Sequence, residues 1–187
     1  TQIPAIGSAD GAMANVQYYP GNPDTSGAGI LSIEDLCDVT FHTADASEVH
    51  PSSHLQLMTT LVADRSVGGR ADGLFIGGTF ALYDVFGTPL WSGYIVDLSL
   101  VERDDASGVM DGLALIELTG GEYGEGFAMP LGEYVEMTFC LDAGDQEDFA
   151  AAFGGGGNFA IGPVLPEPAS LALVTVGGLA LLRRKNR

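Results

Sequence analysis

Cations are what this 187-residue chain has least of: seven lysines and arginines stand against 25 aspartates and glutamates, for a formal net charge of −18. Only Arg65, Arg70 and Arg103 precede the last five positions. A body so poor in positive charge repels phosphate backbones and anionic lipid heads, which excludes nucleic-acid binding and peripheral attachment to a membrane surface by the body. Cysteine is nearly as scarce. Cys37 and Cys140 form no C-x-x-C pair and no disulfide framework, and they fit either redox compartment. Joined across their loop they would contribute up to about 4–5 kcal/mol in the chain-entropy model. The chain also lacks G-x-S-x-G, H-E-x-x-H and G-x-x-x-x-G-K-[ST], so no hydrolase, zincin or P-loop signature directs the reading. Thr1 is not followed by a charged-then-apolar leader, and no signal peptide is read; a processed or truncated start is expected.

Helical spacing of apolar residues is nearly absent too, and what fills its place is alternation. Val135, Met137, Phe139 and Leu141 oppose Glu136, Thr138 and Cys140; Tyr94, Val96, Leu98 and Leu100 oppose Asp97 and Ser99. Leu55, Leu57 and Leu61 alternate with Gln56, Met58 and Thr60, and Cys37, Val39 and Phe41 with Asp38, Thr40 and His42. A period of two marks half-buried strands. It also sets Cys37 toward the core and Cys140 outward, which argues against their pairing. Residues 80–96 suggest a hairpin with Val85 and Phe86 at its tip, and 112–126 a strand ending on Gly120-Gly121. The acids from Asp145 to Asp148 ahead of Phe149–Phe153 predict one short helix capped by Asp145 and stopped by Gly154. Gly154–Asn158 is expected to be a flexible joint, with a last strand after it. About seven to nine short strands with little helix predict an all-β, antiparallel β-sandwich of jelly-roll or immunoglobulin-like type over residues 1–162. A body of that size buries about two-thirds of its unfolded surface and needs no metal to hold a core.

Candidate chemistry in the body is thin. His50-Pro51-Ser52-Ser53-His54, with His42, Asp45 and Glu48 nearby, is the best metal cluster, but ligands four apart need a helix and Pro51 suggests a solvated loop; no metal site is assigned. Asp104, Asp105, Ser107 and Asp111, and Asp142 with Asp145, offer oxygen atoms to calcium without the spacing of a calcium loop. The expectation is therefore no cofactor, with a structural calcium as the alternative. Trp91 shares strand parity with Asp97 and Ser99, which would turn it to solvent, where with Phe86 it would make an aromatic pair for stacking on sugars. The plainer reading packs Trp91 in the core.

The remaining cations are gathered at the very end, in VLPEPASLALVTVGGLALLRRKNR, Val164 to Arg187. Ala169–Leu182 carries no charge and would span about 21 Å as a helix, against roughly 30 Å of hydrocarbon. Extending back to Val164 reaches further and leaves Pro166, Glu167 and Pro168 at the outer interface, where proline and charge are tolerated. A C-terminal transmembrane helix of weak insertion preference is expected, with the basic end on the cytoplasmic side. The bland alternative is a buried core helix, but this one shows no polar face.

Pro166-Glu167-Pro168, the apolar run, and Arg183-Arg184-Lys185 together resemble the PEP-CTERM sorting signal of Gram-negative bacteria. The likeness covers about the last 22 residues, within a tail bounded at 163–187, and no more. It implies export through the inner membrane, recognition of Pro166, Glu167 and Pro168 by an exosortase, and topology set by Arg183, Arg184 and Lys185. Removal of the tail and delivery to the cell surface or an exopolysaccharide matrix would follow. Members share the tail and not the body, so three readings of the body stand: a non-enzymatic surface or matrix protein, a carbohydrate-binding module, or a secreted glycan-active enzyme.

Overall fold

A computed structural model describes residues 8–21, 28–42, 47–103, 108–121 and 134–164. The alternating segments become eight strands, β1 (Ser8–Tyr19), β2 (Ile30–His42), β3 (Ser47–Asp64), β4 (Asp72–Tyr83), β5 (Pro89–Glu102), β6 (Val109–Gly120), β7 (Tyr134–Asp142) and β8 (Phe153–Pro163). Each pairs antiparallel with its neighbours in sequence, and β8 pairs with β1 from Ala9↔Ile161 to Tyr18↔Phe153. The result is one closed barrel in the order β1 to β8. The expected sandwich is thereby corrected. Sandwich and barrel share the same in-out alternation; the pairing separates them, two sheets in Greek-key order in the one and a single consecutive ring here.

The seam depends on the glycines expected to be a loose joint. Gly154–Gly157 are strand residues of β8: Gly154, Gly155 and Gly157 pair with β1 on one side, and Gly156 and Gly157 with β7 on the other. A Cβ at Gly155 would overlap the carbonyl oxygen of Asp142, and one at Gly157 that of Cys140. Gly155 and Gly157 are thus the condition for β8 to lie this close to β7. Elsewhere the barrel uses the same device for rings: a Cβ at Gly112 would run into the Phe139 ring, and one at Gly11 would come within 2.9 Å of Phe159.

The interior is filled. Tyr18, Phe41, Phe75, Phe80 and Trp91 join leucines, isoleucines and methionines contributed by all the strands. Carboxylates such as Asp10, Glu34, Asp97 and Asp111 stand on outer positions. Exposed apolar side chains such as Leu36, Val49, Met58 and Val62 stand among them. Cys37 is buried and Cys140 is at the outer wall, and both are free thiols, as strand parity predicts.

The predicted helix after Asp145 is also corrected: no helix occurs among the described residues, and none there is long and apolar enough to cross a membrane. The C-terminal helix expected over 169–182 lies outside the described residues. Residues 143–152 instead form a strap across the barrel end where β1, β3, β5 and β7 finish. Phe149 points inward, 3% exposed, with its ring edge-on to Tyr18 at 5.2 Å and to Phe75 at 5.6 Å. The strap's backbone groups are engaged by the barrel and so are not free for helical bonds. Phe149 N–H donates to Asp64 Oδ2 at 3.2 Å, Phe149 C=O accepts from Tyr18 Oη at 3.0 Å, and Gln146 C=O accepts from Ala71 N–H at 3.1 Å.

Burial, reinforced by the charges of Asp64 and Asp148, pushes the Tyr18 hydroxyl up to about 12, so it stays a donor to the strap at any ordinary pH. At Asp64 the burial penalty is outweighed by hydrogen bonds from Ser66 and Phe149, which hold its carboxyl below the ordinary value of 3.8. A depressed carboxylate contributes stability that is complete above its unfolded pKa and disappears as pH falls through the folded one. Thermal melts of the native chain and of Asp64→Asn should therefore differ most above about pH 4 and converge in stronger acid. A gap that widens in acid would contradict this role.

Candidate functional site

The His50–His54 stretch lies inside β3, and not in a loop. Between Cys37↔Ser53 and Val39↔His50 the strand carries one extra residue, a bulge around Pro51 and Ser52. The bulge reverses the alternation. His50 therefore packs its ring edge-on to the buried Phe41 at 5.2 Å, whereas His54 lies on the outer wall with its ring 6.2 Å from that of Tyr83. The three histidines also face separate carboxylates: His42 with Asp10 at 2.7 Å, His50 with Glu48 at 3.4 Å, and His54 with Glu34 at 3.7 Å. Among the described residues no group of three or more His, Cys, Asp or Glu converges on one point. Asp45, Asp104, Asp105 and Ser107 fall outside the described residues. Asp111 is engaged by Arg103, whose Nη2 and Nε lie 2.7 and 2.8 Å from its two oxygens.

Ser52 sits at the bulge with φ of 53°, the one described residue other than glycine in left-handed backbone. Its N–H donates to Asp38 Oδ1 at 2.9 Å, which helps hold it there. Such a conformation costs on the order of 1–3 kcal/mol and persists where surrounding structure imposes it. Beside it opens a cavity of about 540 Å³ on the outer wall, whose lining includes Leu36, Ser52, His54, Gln56, Tyr83 and Asp84.

One side of this groove is the β4–β5 hairpin tip, which the sequence placed correctly. Asp84 Oδ1 accepts from Phe86 N–H at 2.9 Å and Thr88 N–H at 2.7 Å, and Asp84 N–H donates to Thr88 C=O at 2.9 Å. Gly87, with φ of 83°, completes the turn. The Thr88 bond, first among these, holds the Asp84 carboxyl below its usual range. The tip is a rigid support, and on it Val85 and Phe86 are exposed, Phe86 to 90%.

No protein-family model, curated protein or solved structure matches the chain.

The aromatic pair does not form, and the plainer reading of Trp91 as a core residue holds. Trp91 is fully buried, its ring 5.1 Å from Phe41 and edge-on to it, while Phe86 is at the rim. A second bulge breaks the strand parity: β5 pairs Ile95↔Ile116 and then Asp97↔Leu115, so Val96 is an extra residue. Trp91, Gly93 and Ile95 consequently share the inner face with Leu98 and Leu100. Pro166, Glu167, Pro168, Arg183, Arg184 and Lys185 lie outside the described residues. Sequence reasoning missed Leu36, Ser52, Gln56, Tyr83 and Asp84 as neighbours. The signal for Ser52 was the break in alternation at Pro51-Ser52; nothing local in the sequence ties β2, β3 and the hairpin tip to one groove.

A larger cavity, about 640 Å³, runs over the outer faces of β5 to β8 past Val101, Leu113, Cys140 and Ala160. Its lining is mostly apolar, and the charged group on its wall, Asp111, is already satisfied by Arg103. The smaller groove has the richer set of polar groups, and chemistry rather than size makes it the candidate site.

Proposed function

We propose that the protein is exported and displayed at a cell surface or in an extracellular polysaccharide matrix, delivered by an exosortase acting on its C-terminal segment, and that its barrel is a non-catalytic adhesive or structural body. The observation that carries this is the order of three parts at the end of the chain. Pro166-Glu167-Pro168, an uncharged run and Arg183-Arg184-Lys185 follow one another directly after β8 ends at Pro163. β8 closes the barrel, so the tail departs from a finished fold at the end opposite the strap. A protease that needs extended backbone would find the stiff Pro-Glu-Pro triplet just beyond a body that its removal leaves whole. The uncharged run would be held in the inner membrane during transit, with the arginines on the cytoplasmic side.

A non-catalytic body is favoured by the way its reactive groups are spent. The histidines and arginines of the wall are taken up by separate carboxylates or backbone carbonyls, and Asp84 by the turn it organises. A scarcity of cations suits association with neutral matrix chains over nucleic acid.

Mass spectrometry of the protein recovered from its host surface tests the assignment. The expected C-terminus lies at or near Pro166–Pro168, with Arg183–Arg187 missing. An intact Arg187 on surface-exposed molecules refutes the sorting reading.

A further inference from the structure

We propose that the groove between the β3 bulge and the β4–β5 tip is a binding site for a neutral glycan chain. This deepens the reading of the barrel as an adhesive body, and it does not depend on the fate of the tail. A pyranose presents flat C–H faces and a rim of hydroxyls, so a site for it combines apolar surfaces with a few fixed donors and acceptors. The groove has both. Tyr83 and Leu36 supply apolar surface, Leu36 being 70% exposed, and Phe86 stands at the tip between the lining residues Val85 and Gly87. Ser52, His54 and Gln56 supply a hydroxyl, an imidazole and an amide along one strand.

Two further observations point to a ligand. Phe86 is a large apolar side chain held in water by a turn fastened with four hydrogen bonds, a rigid presentation that lowers the entropy lost on binding. Ser52 is held in a strained conformation that glycine would adopt freely, and the lining keeps a hydroxyl there. Charge selects the class. The groove contains Asp84 and no lysine or arginine, on a chain of net charge −18, so acidic polysaccharides and phosphorylated ligands are repelled.

Titration calorimetry of the full chain with cellohexaose, laminarihexaose, xylohexaose and mannohexaose, and with a hyaluronan hexasaccharide as the anionic contrast, tests the proposal. At least one neutral chain should bind saturably and the anionic one should not. Phe86→Ala, at a position too exposed to affect folding, and Tyr83→Ala should each weaken binding about tenfold, one kcal/mol-scale ring contact apiece. Leu113→Ala, on the other groove, should leave it unchanged. Ser52→Gly should raise the melting midpoint by about 2–4 °C while weakening binding, a pairing of effects that a purely structural serine would not give. The proposal is overturned if no neutral hexasaccharide binds, if the anionic chain binds instead, or if Phe86→Ala binds like the native protein. None of these outcomes bears on where the tail is cut.

Discussion

Truncating Phe149 to alanine should lower the unfolding free energy by about 3–5 kcal/mol. Phe149 lies in a strap with no regular secondary structure, where substitutions are ordinarily tolerated. Its ring nevertheless closes the barrel end against Tyr18, Phe75 and Phe153, and Gly73 gives it room: a Cβ there would come within 2.7 Å of the Phe149 ring. Removing the ring leaves a void lined by three aromatics that cannot collapse together, since each is set by its own strand. The strap's other fastenings, to Asp64, Ala71 and Glu102, remain, so the loss should appear as lower stability with a folded native state. Urea unfolding followed by tyrosine and tryptophan emission measures it. Phe86→Ala, with the same chemical change on an exposed ring, should move stability by less than about 0.5 kcal/mol. A loss of under about 1 kcal/mol for Phe149→Ala would mean that the strap merely covers the barrel.

A single methyl group at Gly157 should do comparable damage. The added carbon would overlap the carbonyl oxygen of Cys140 on β7, and backbone, unlike a side chain, has no alternative rotamer to adopt. Overpacking in a core costs about 1–3 kcal/mol when side chains give way; here β8 itself must shift away from β7, so Gly157→Ala should reach or exceed the top of that range. Gly162→Ala is the internal control. It lies in the same strand, yet its added carbon would meet only Ser8 Cβ, at 4.0 Å, an ordinary contact. If denaturant titration finds the two alanine variants equally stable, close approach at the seam is not what closes the barrel.

Strand positions were legible in the sequence wherever alternation ran unbroken. Val135 to Leu141 is the clearest case, and the inward Cys37 and outward Cys140 follow from the same rule. Legibility stopped at irregularities of one residue. The extra residue at Val96 turned Trp91 inward, and the one near Ser52 separated His50 from His54 across the wall. A period-two count has no memory of such an insertion, because every position beyond it still alternates. Gly154–Asn158 misled for a different reason: glycine's flexibility in the unfolded chain is local information, whereas the need for space beside Asp142 and Cys140 is set by how closely β8 pairs with β7, which the glycine run itself does not reveal. The helix expected from Asp145 to Phe153 had suitable capping, and its backbone was claimed instead by Asp64, Tyr18 and Ala71, residues 70 or more positions away. The groove was hardest to foresee, since it unites three strands and a turn through register alone.

Hydrogen bonding from β8 back to β1 leaves no outermost strand. An open sheet carries along its border a row of unsatisfied amides and carbonyls on which another chain can zip, and crowding makes such zipping progressive and irreversible. Packed densely on a surface or within a gel, copies of this protein would present one another only with side chains, most of them polar or acidic. Their mutual contacts would stay reversible, and a layer of them could remain fluid where open-sheeted neighbours would set into fibrils.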